Sequence, residues 1–143
     1  MTKRATFQAA ICGREGSYGV VFPDFLGCTS GGSTLDEAAA MAHEALTGHI
    51  EVGVEYGDEV PDPRHYTLAE IEAEYVRDSE PGDPVEIWVA LIPVTVDVPS
   101  VPDRVRIDVP RELADEVRSH DPHPGHFIVE ATRRELARLK RSA

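Results

Sequence analysis

Tyr18, Val20 and Phe22 alternate with Gly19 and Val21, the spacing of a half-buried strand, and Pro23 then removes a ladder donor and ends the pairing. Upstream, Phe7, Ala9 and Ile11 alternate with Gln8, Ala10 and Cys12 in a first strand over Ala5 to Cys12. Arg14-Glu15-Gly16-Ser17 reads as the hairpin turn between the two. Gly27, Gly31 and Gly32 permit positive-φ turns, so a short third strand is expected around Cys28 and Thr29. The period then changes. Leu35, Ala38, Ala39, Ala42, Ala45, Leu46 and Ile50 recur on one helical stripe, opened by Thr34 as a cap, with Glu37 placed to return a bond to the cap's own N–H. That stripe is narrow and mostly alanine, so the helix can lie close against a sheet. Gly53 to Arg64 is polar and reads as a loop that adds no core. Thr67 and Glu70 form a second capping box before Leu68, Ile71 and Tyr75, which predicts a helix over about 68 to 78. Val85 to Val98, which contains the only tryptophan, Trp88, predicts a long strand buried at least partly on both faces.

Beyond the stiff Pro99 to Pro102 linker, Arg104 to Val109 alternates polar and apolar residues, and Pro110 opens a helix as a first-turn residue. Leu113, Ala114 and Val117 give that helix an apolar face. After a loop over Ser119 to Gly125, Ile128, Val129, Thr132, Leu136 and Leu139 form the stripe of a final helix. One strand and two helices can neither pair the strand's own backbone groups nor bury a sufficient core. A second copy must supply the partner strand. Two such strands paired about a two-fold axis turn Val105, Ile107 and Val109 toward the helices and Arg104, Arg106 and Asp108 outward, as a ribbon that fits the DNA major groove. The expected class is therefore α+β, with a first domain over 1–98, a linker over 99–102 and a second domain over 103–143.

Charge sharpens this division. The chain holds 14 Lys and Arg against 26 Asp and Glu; residues 103–143 carry nine against eight, which leaves five against 18 in residues 1–102. An acidic first domain repels phosphate and suits a basic protein partner, whereas the second tolerates a polyanion if its arginines gather on one face. Lys3 and Arg4 are not followed by an unbroken apolar run, and Ile87 to Val96 is too short to span a bilayer and contains Pro93. A soluble cytoplasmic protein with no membrane partner is expected.

Enzyme chemistry finds little purchase. The first strand lacks the central carboxylate of a two-metal nuclease, and Asp24, Asp36, Glu37 and Glu44 read as turn, helix-start and solvent-face charges. Gly31-Gly32-Ser33 precedes a helix without the Walker lysine. Cys12 and Cys28 fall in predicted sheet, as small buried hydrophobes rather than a disulfide or metal pair. His120, His123 and His126 straddle a proline-broken loop with no cysteine nearby, and His49 is a boundary residue of its helix. No catalytic residue, metal or cofactor is expected.

The order Y-x-x-x-x-P-D-x-x-G-C-x-x-x-G-x-T-x-x-E-A-x-x-x-A-x-E-A-L, carried by Tyr18, Pro23, Asp24, Gly27, Cys28, Gly32, Thr34, Glu37, Ala38, Ala42, Glu44, Ala45 and Leu46, resembles the N-terminal domain of the HicB family of type II antitoxins. The resemblance implies a partial ribonuclease H-like β-β-β-α-(α)-β domain, one sheet with helix packed on one side. It also implies that this domain covers the active surface of a small, basic, RNA-cleaving HicA-like toxin, with Tyr18, Phe22 and Asp24 as the toxin-facing residues. The acidic helix over 68–78 departs from a pattern that often reaches its last strand more directly. Residues 103–140, with V-P-R-E-L at 109–113, resemble the ribbon-helix-helix repressors, a domain many HicB antitoxins carry. By that resemblance Arg104, Arg106 and Asp108 read operator bases, and the protein is a homodimer through its C-terminal strand, or a tetramer of two such dimers joined through the first domain. Asp108 is unfavourable near phosphate but suits cytosine N4. His123-Pro124-Gly125-His126-Phe127 replaces the phosphate-anchoring G-x-S-R-S-like start of the last helix. The alternative function is a stand-alone ribbon-helix-helix regulator without a toxin.

Overall fold

The computed structural model describes residues 2–100 and 107–143. Arg104, Val105 and Arg106, the start of the expected ribbon strand, lie outside the described residues. Two compact units are present: residues up to Glu51 with Val60–Ser100, and Val52–Glu59 with the described residues from 107 to Ala143.

In the first unit, strands β1 (Thr2–Arg14), β2 (Ser17–Val21), β3 (Thr29–Gly32) and β4 (Trp88–Pro99) form one antiparallel sheet in the order β3-β2-β1-β4. Helix α1 (Leu35–Tyr56) follows β3, and α2 (Leu68–Asp78) precedes β4. β1 occupies the interior of the sheet, and its residues Ala9 to Cys12 are all buried. β4 pairs β1 from Pro99 opposite Thr2 to Trp88 opposite Cys12, with one slip in register between Ile11 and Cys12. It begins at Trp88 rather than at Val85, and Val85 and Ile87 are exposed. Ala90, Leu91 and Ile92 are half-buried in succession, partly covered on both faces as expected, but from Pro93 to Asp97 only Val94 and Val96 face the core while Pro93, Thr95 and Asp97 are exposed, the alternation of an edge strand, where a proline is tolerated.

Of the three turn glycines, only Gly27 has a positive φ, +83°. Gly31 and Gly32 lie in β3 and are needed for close approach instead: a Cβ would stand 2.6 Å from the Tyr18 carbonyl oxygen at Gly31 and 2.5 Å from the Ala38 nitrogen at Gly32. The start of α1 thus packs directly on the strand before it. Its cap is formed by Thr34, whose Oγ1 accepts from the Glu37 N–H at 3.1 Å. The returning bond goes one residue further back than the expected capping box, from the Ser33 N–H to the Glu37 carboxylate at 2.9 Å. Ala38, Ala42, Leu46, Ile50 and Val54 are buried at intervals of four, whereas Leu35 is 43% exposed and lies off the stripe.

The helix does not stop at Gly53. It continues to Tyr56 and ends in a Schellman motif: Gly57 takes φ +96°, its N–H bonds the Val54 carbonyl, and the Asp58 N–H bonds the Gly53 carbonyl. The expected loop over 53–64 therefore loses its first turn to helix, and Val54 adds buried surface. α2 spans the expected residues, with Glu70 accepting from the Thr67 N–H and hydroxyl while Thr67 accepts from the Glu70 N–H.

Both faces of the sheet are engaged. Phe7 packs edge-on to Phe25, 4.8 Å between ring centres, and Phe25 packs on His49 of α1. Its neighbour Gln8, which points to the opposite face by strand alternation, accepts from the Tyr66 N–H at 2.5 Å in the segment leading into α2. The sheet thus carries packing beyond the single helical side expected. Cys12 and Cys28 are free and buried, and burial raises both thiol pKa values, with Glu86 adding to the rise at Cys12.

The second unit contains the last turn of α1 with α3 (Arg111–His120) and α4 (Pro124–Ser142). Pro110 stands at the N-cap of α3 rather than in its first turn, and Pro124 opens α4, so the expected loop over 119–125 shrinks to 121–123. Tyr56 stacks on His123 at 4.2 Å between ring centres and meets His126 edge-on at 4.6 Å. Ile107 to Pro110 carry no strand pairing. Among the described residues there is no helix long and apolar enough to cross a membrane.

Candidate functional site

The turn that ends β2 and the face of α2 that looks across at it form a groove. Phe22 bonds the chain back on itself through its carbonyl, which accepts from the Phe25 N–H at 3.0 Å, and the Phe25 carbonyl accepts from the Cys28 N–H at 3.1 Å. This pair of tight turns leaves Leu26 fully exposed, at 100%, beside the positive-φ Gly27. From α2, Ile71, Glu74, Tyr75 and Asp78 share one face because they recur at three- and four-residue steps. The Tyr75 ring meets Trp88 edge-on at 5.4 Å, which closes one wall.

The space enclosed is about 380 Å³, lined by Phe22, Pro23, Leu26, Ile71, Tyr75 and Trp88 among the apolar groups and by Glu74, Asp78 and Asp83 among the charged ones. Arg77 reaches Glu74 at 3.5 Å and Asp78 at 3.4 Å, both exposed pairs that hold little energy in water. Residues 68–88 carry seven carboxylates against that single arginine. An apolar floor beneath a surplus of negative charge can take up an apolar side chain whose neighbours are cationic.

The sequence-expected residues are placed unequally around this groove. Phe22 is buried in its floor, and Tyr18 is half-buried on β2 opposite Gly13 and Gly32. Asp24 is turned inward. Its side chain is 1% exposed and accepts three bonds, from the Arg64 N–H and Nε at 3.1 Å each and from the Tyr66 hydroxyl at 2.8 Å. Burial, reinforced by that bond to Asp24, pushes the Tyr66 phenol above its ordinary pKa. Asp24 is the clasp that fastens the 64–66 segment to the turn, rather than a charge presented to a partner. Asp24→Asn replaces an acceptor with an amide that faces donors, and should cost about 1–3 kcal/mol, read as a lower urea midpoint at unchanged slope.

The residues that sequence reading missed are Leu26, Trp88 as a groove wall, and the acids of α2. Their signals were a leucine set before a turn glycine and an aromatic on the stripe of an acidic helix.

In the second unit, Asp108 is exposed and Ile107 is 76% exposed, so Ile107 does not pack on the helices as the ribbon arrangement expects. A strand there needs an antiparallel neighbour for its backbone groups, and among the described residues it has none. α4 buries no residue, and Phe127, Val129, Leu136 and Leu139 on it and Leu113 on α3 are all exposed. These apolar side chains of α3 and α4 are left uncovered among the described residues.

The family model described as HicB_like antitoxin of bacterial toxin-antitoxin system matches residues 7–123. Among solved structures, a chain of a toxin-antitoxin complex from Streptococcus pneumoniae shares the fold, with a TM-score of 0.54 and 24% identity over 82% of this chain and 88% of that one. The antitoxin HicB of Burkholderia pseudomallei is similar at 28% identity and a TM-score of 0.45, over 94% of this chain and 98% of that one. The N-terminal domain of the same antitoxin is 32% identical with a TM-score of 0.42, over 61% of this chain and 94% of that one. No curated protein matches.

Proposed function

The chain belongs to the family of HicB-like antitoxins of bacterial toxin-antitoxin systems, and we propose that its first unit neutralises a small, basic, RNA-cleaving toxin of the HicA type by covering the toxin's active surface. A toxin that binds RNA must carry positive charge where the phosphates lie, and an acidic protein surface competes for that place. The observation that carries this reading is the groove, apolar below and rimmed by Glu74, Asp78 and Asp83, in a family of antitoxins. The Streptococcus pneumoniae structure that shares the fold is that of a toxin-antitoxin complex, which favours a protein partner of that kind. Of the residues first expected to face the toxin, Phe22 fits as part of the groove floor and Tyr18 as a neighbour on β2, while Asp24 serves by holding the turn.

The same reading makes the first unit a partial ribonuclease H-like domain without catalysis, in a cytoplasmic protein. β1 contains no Asp or Glu, which fits a scaffold better than a nuclease. It makes the C-terminal segment a ribbon-helix-helix dimer, or a pair of such dimers, that binds operator DNA through Arg104, Arg106 and Asp108 and represses its own operon. The exposed stripe of α3 and α4 supports a second copy there.

Where a short basic protein is encoded beside it, co-expression of the two should yield a complex that survives affinity purification and gel filtration. If the two proteins elute separately at micromolar concentration, the antitoxin reading fails, and a stand-alone regulator takes its place.

A further inference from the structure

The acidic helix α2 has no part in the sheet, yet it builds one wall of the groove. We propose that α2 and the Phe22–Cys28 turn form a dedicated anchor site for one apolar side chain of the toxin, flanked on the toxin by lysine or arginine. The inference rests on the antitoxin reading and adds to it the place and chemistry of the contact.

Three observations converge on this occupant. Leu26 is fully exposed at the tip of a turn whose own backbone bonds hold it in place, a position that costs apolar surface unless a partner covers it. The Tyr75–Trp88 pair presents aromatic surface across from it, the residue types that dominate interface energies. The charged groups that line the space are all carboxylates, Glu74, Asp78 and Asp83. An apolar anchor between cations satisfies both layers, whereas nucleic acid would be repelled by the rim. The open groove, about 380 Å³ in volume, has room for one apolar side chain.

Trp88 is the only tryptophan in the chain and stands in the groove wall, so it reports occupancy directly. The full chain labelled with 5-fluorotryptophan gives one ¹⁹F resonance, to be followed as the unlabelled co-encoded toxin is added. The resonance should move on saturation. Leu26→Asp, which places a carboxylate where the apolar contact is expected, should weaken association at least roughly tenfold with an unchanged melting temperature, because the side chain is fully exposed in the free protein. Glu74→Lys should weaken it further at low salt than at high salt. If the toxin binds Leu26→Asp as tightly as the wild type and the resonance stays still, the anchor site is refuted while the antitoxin reading stands. If the resonance moves with protein concentration alone, a second copy fills the groove and the proposal is equally refuted. If the wild type binds no toxin, the antitoxin reading falls and the anchor site with it.

Discussion

Arg104→Ala and Arg106→Ala should each weaken operator binding by roughly 1–3 kcal/mol for every base the arginine reads. In a two-fold dimer each substitution is made twice, so the loss is roughly 2–6 kcal/mol, on the order of 30-fold to 10⁴-fold in affinity. On the proposed two-stranded ribbon, an outward guanidinium would reach guanine O6 and N7 with two bonds at once, and alanine replaces neither. Fluorescence anisotropy on the DNA upstream of the operon, compared with a scrambled duplex, separates the two roles an arginine can have. A base-reading arginine loses affinity for the operator alone. A phosphate-binding arginine weakens both duplexes alike when removed and lowers the salt slope by about one. Unchanged operator affinity in both variants would remove the ribbon assignment.

The second large effect lies in the core of the first unit. Leu46→Ala should cost about 2–5 kcal/mol, because Leu46 is fully buried on the inner stripe of α1 and the space it leaves cannot collapse against a sheet. Against a total stability of about 5–15 kcal/mol, that loss is large enough to lower the melting temperature by roughly ten degrees or more. Leu35→Ala provides the contrast. The sequence places Leu35 on the same stripe, but it is 43% exposed, so its truncation should cost under about 1 kcal/mol. Equal losses for the two would mean that α1 turns a different face to the sheet.

The order of the elements was legible because it depends on local chemistry. Alternation in Phe7 to Cys12 and Tyr18 to Phe22, the capping residues Thr34 and Thr67, and the breaks at Pro23 and Gly27 act within a few residues of themselves. The misreadings arose where a distant or competing term decides. Gly53 looked like the end of α1 in a polar run, yet a single interior glycine costs only about 1 kcal/mol, and Gly57 supplies a better stop four residues later. Val85 to Ile87 have strand composition, and the Ile87 carbonyl still accepts from the Gly13 N–H of β1 at 2.8 Å, but the register slip at Cys12 ends the ladder at Trp88, so composition alone places the start of β4 too early. The residues alone mark Asp24 as a turn charge, and only the family resemblance makes it toxin-facing. Its actual partners, Arg64 and Tyr66, stand some forty residues away, and no local pattern announces them. The groove was hidden for the same reason, since Leu26, Tyr75 and Trp88 come from three segments. What sequence did show was the acidic surplus that surrounds it.

Silencing of a basic RNA-cleaving toxin by this acidic unit is read from the cleavage of a labelled RNA by the purified toxin as the full chain is titrated in. Cleavage should fall in proportion to added antitoxin and be abolished once the toxin is saturated, while Leu46→Ala protein, heated above its own melting transition, should protect nothing. Undiminished cleavage in the presence of excess folded antitoxin would contradict that silencing.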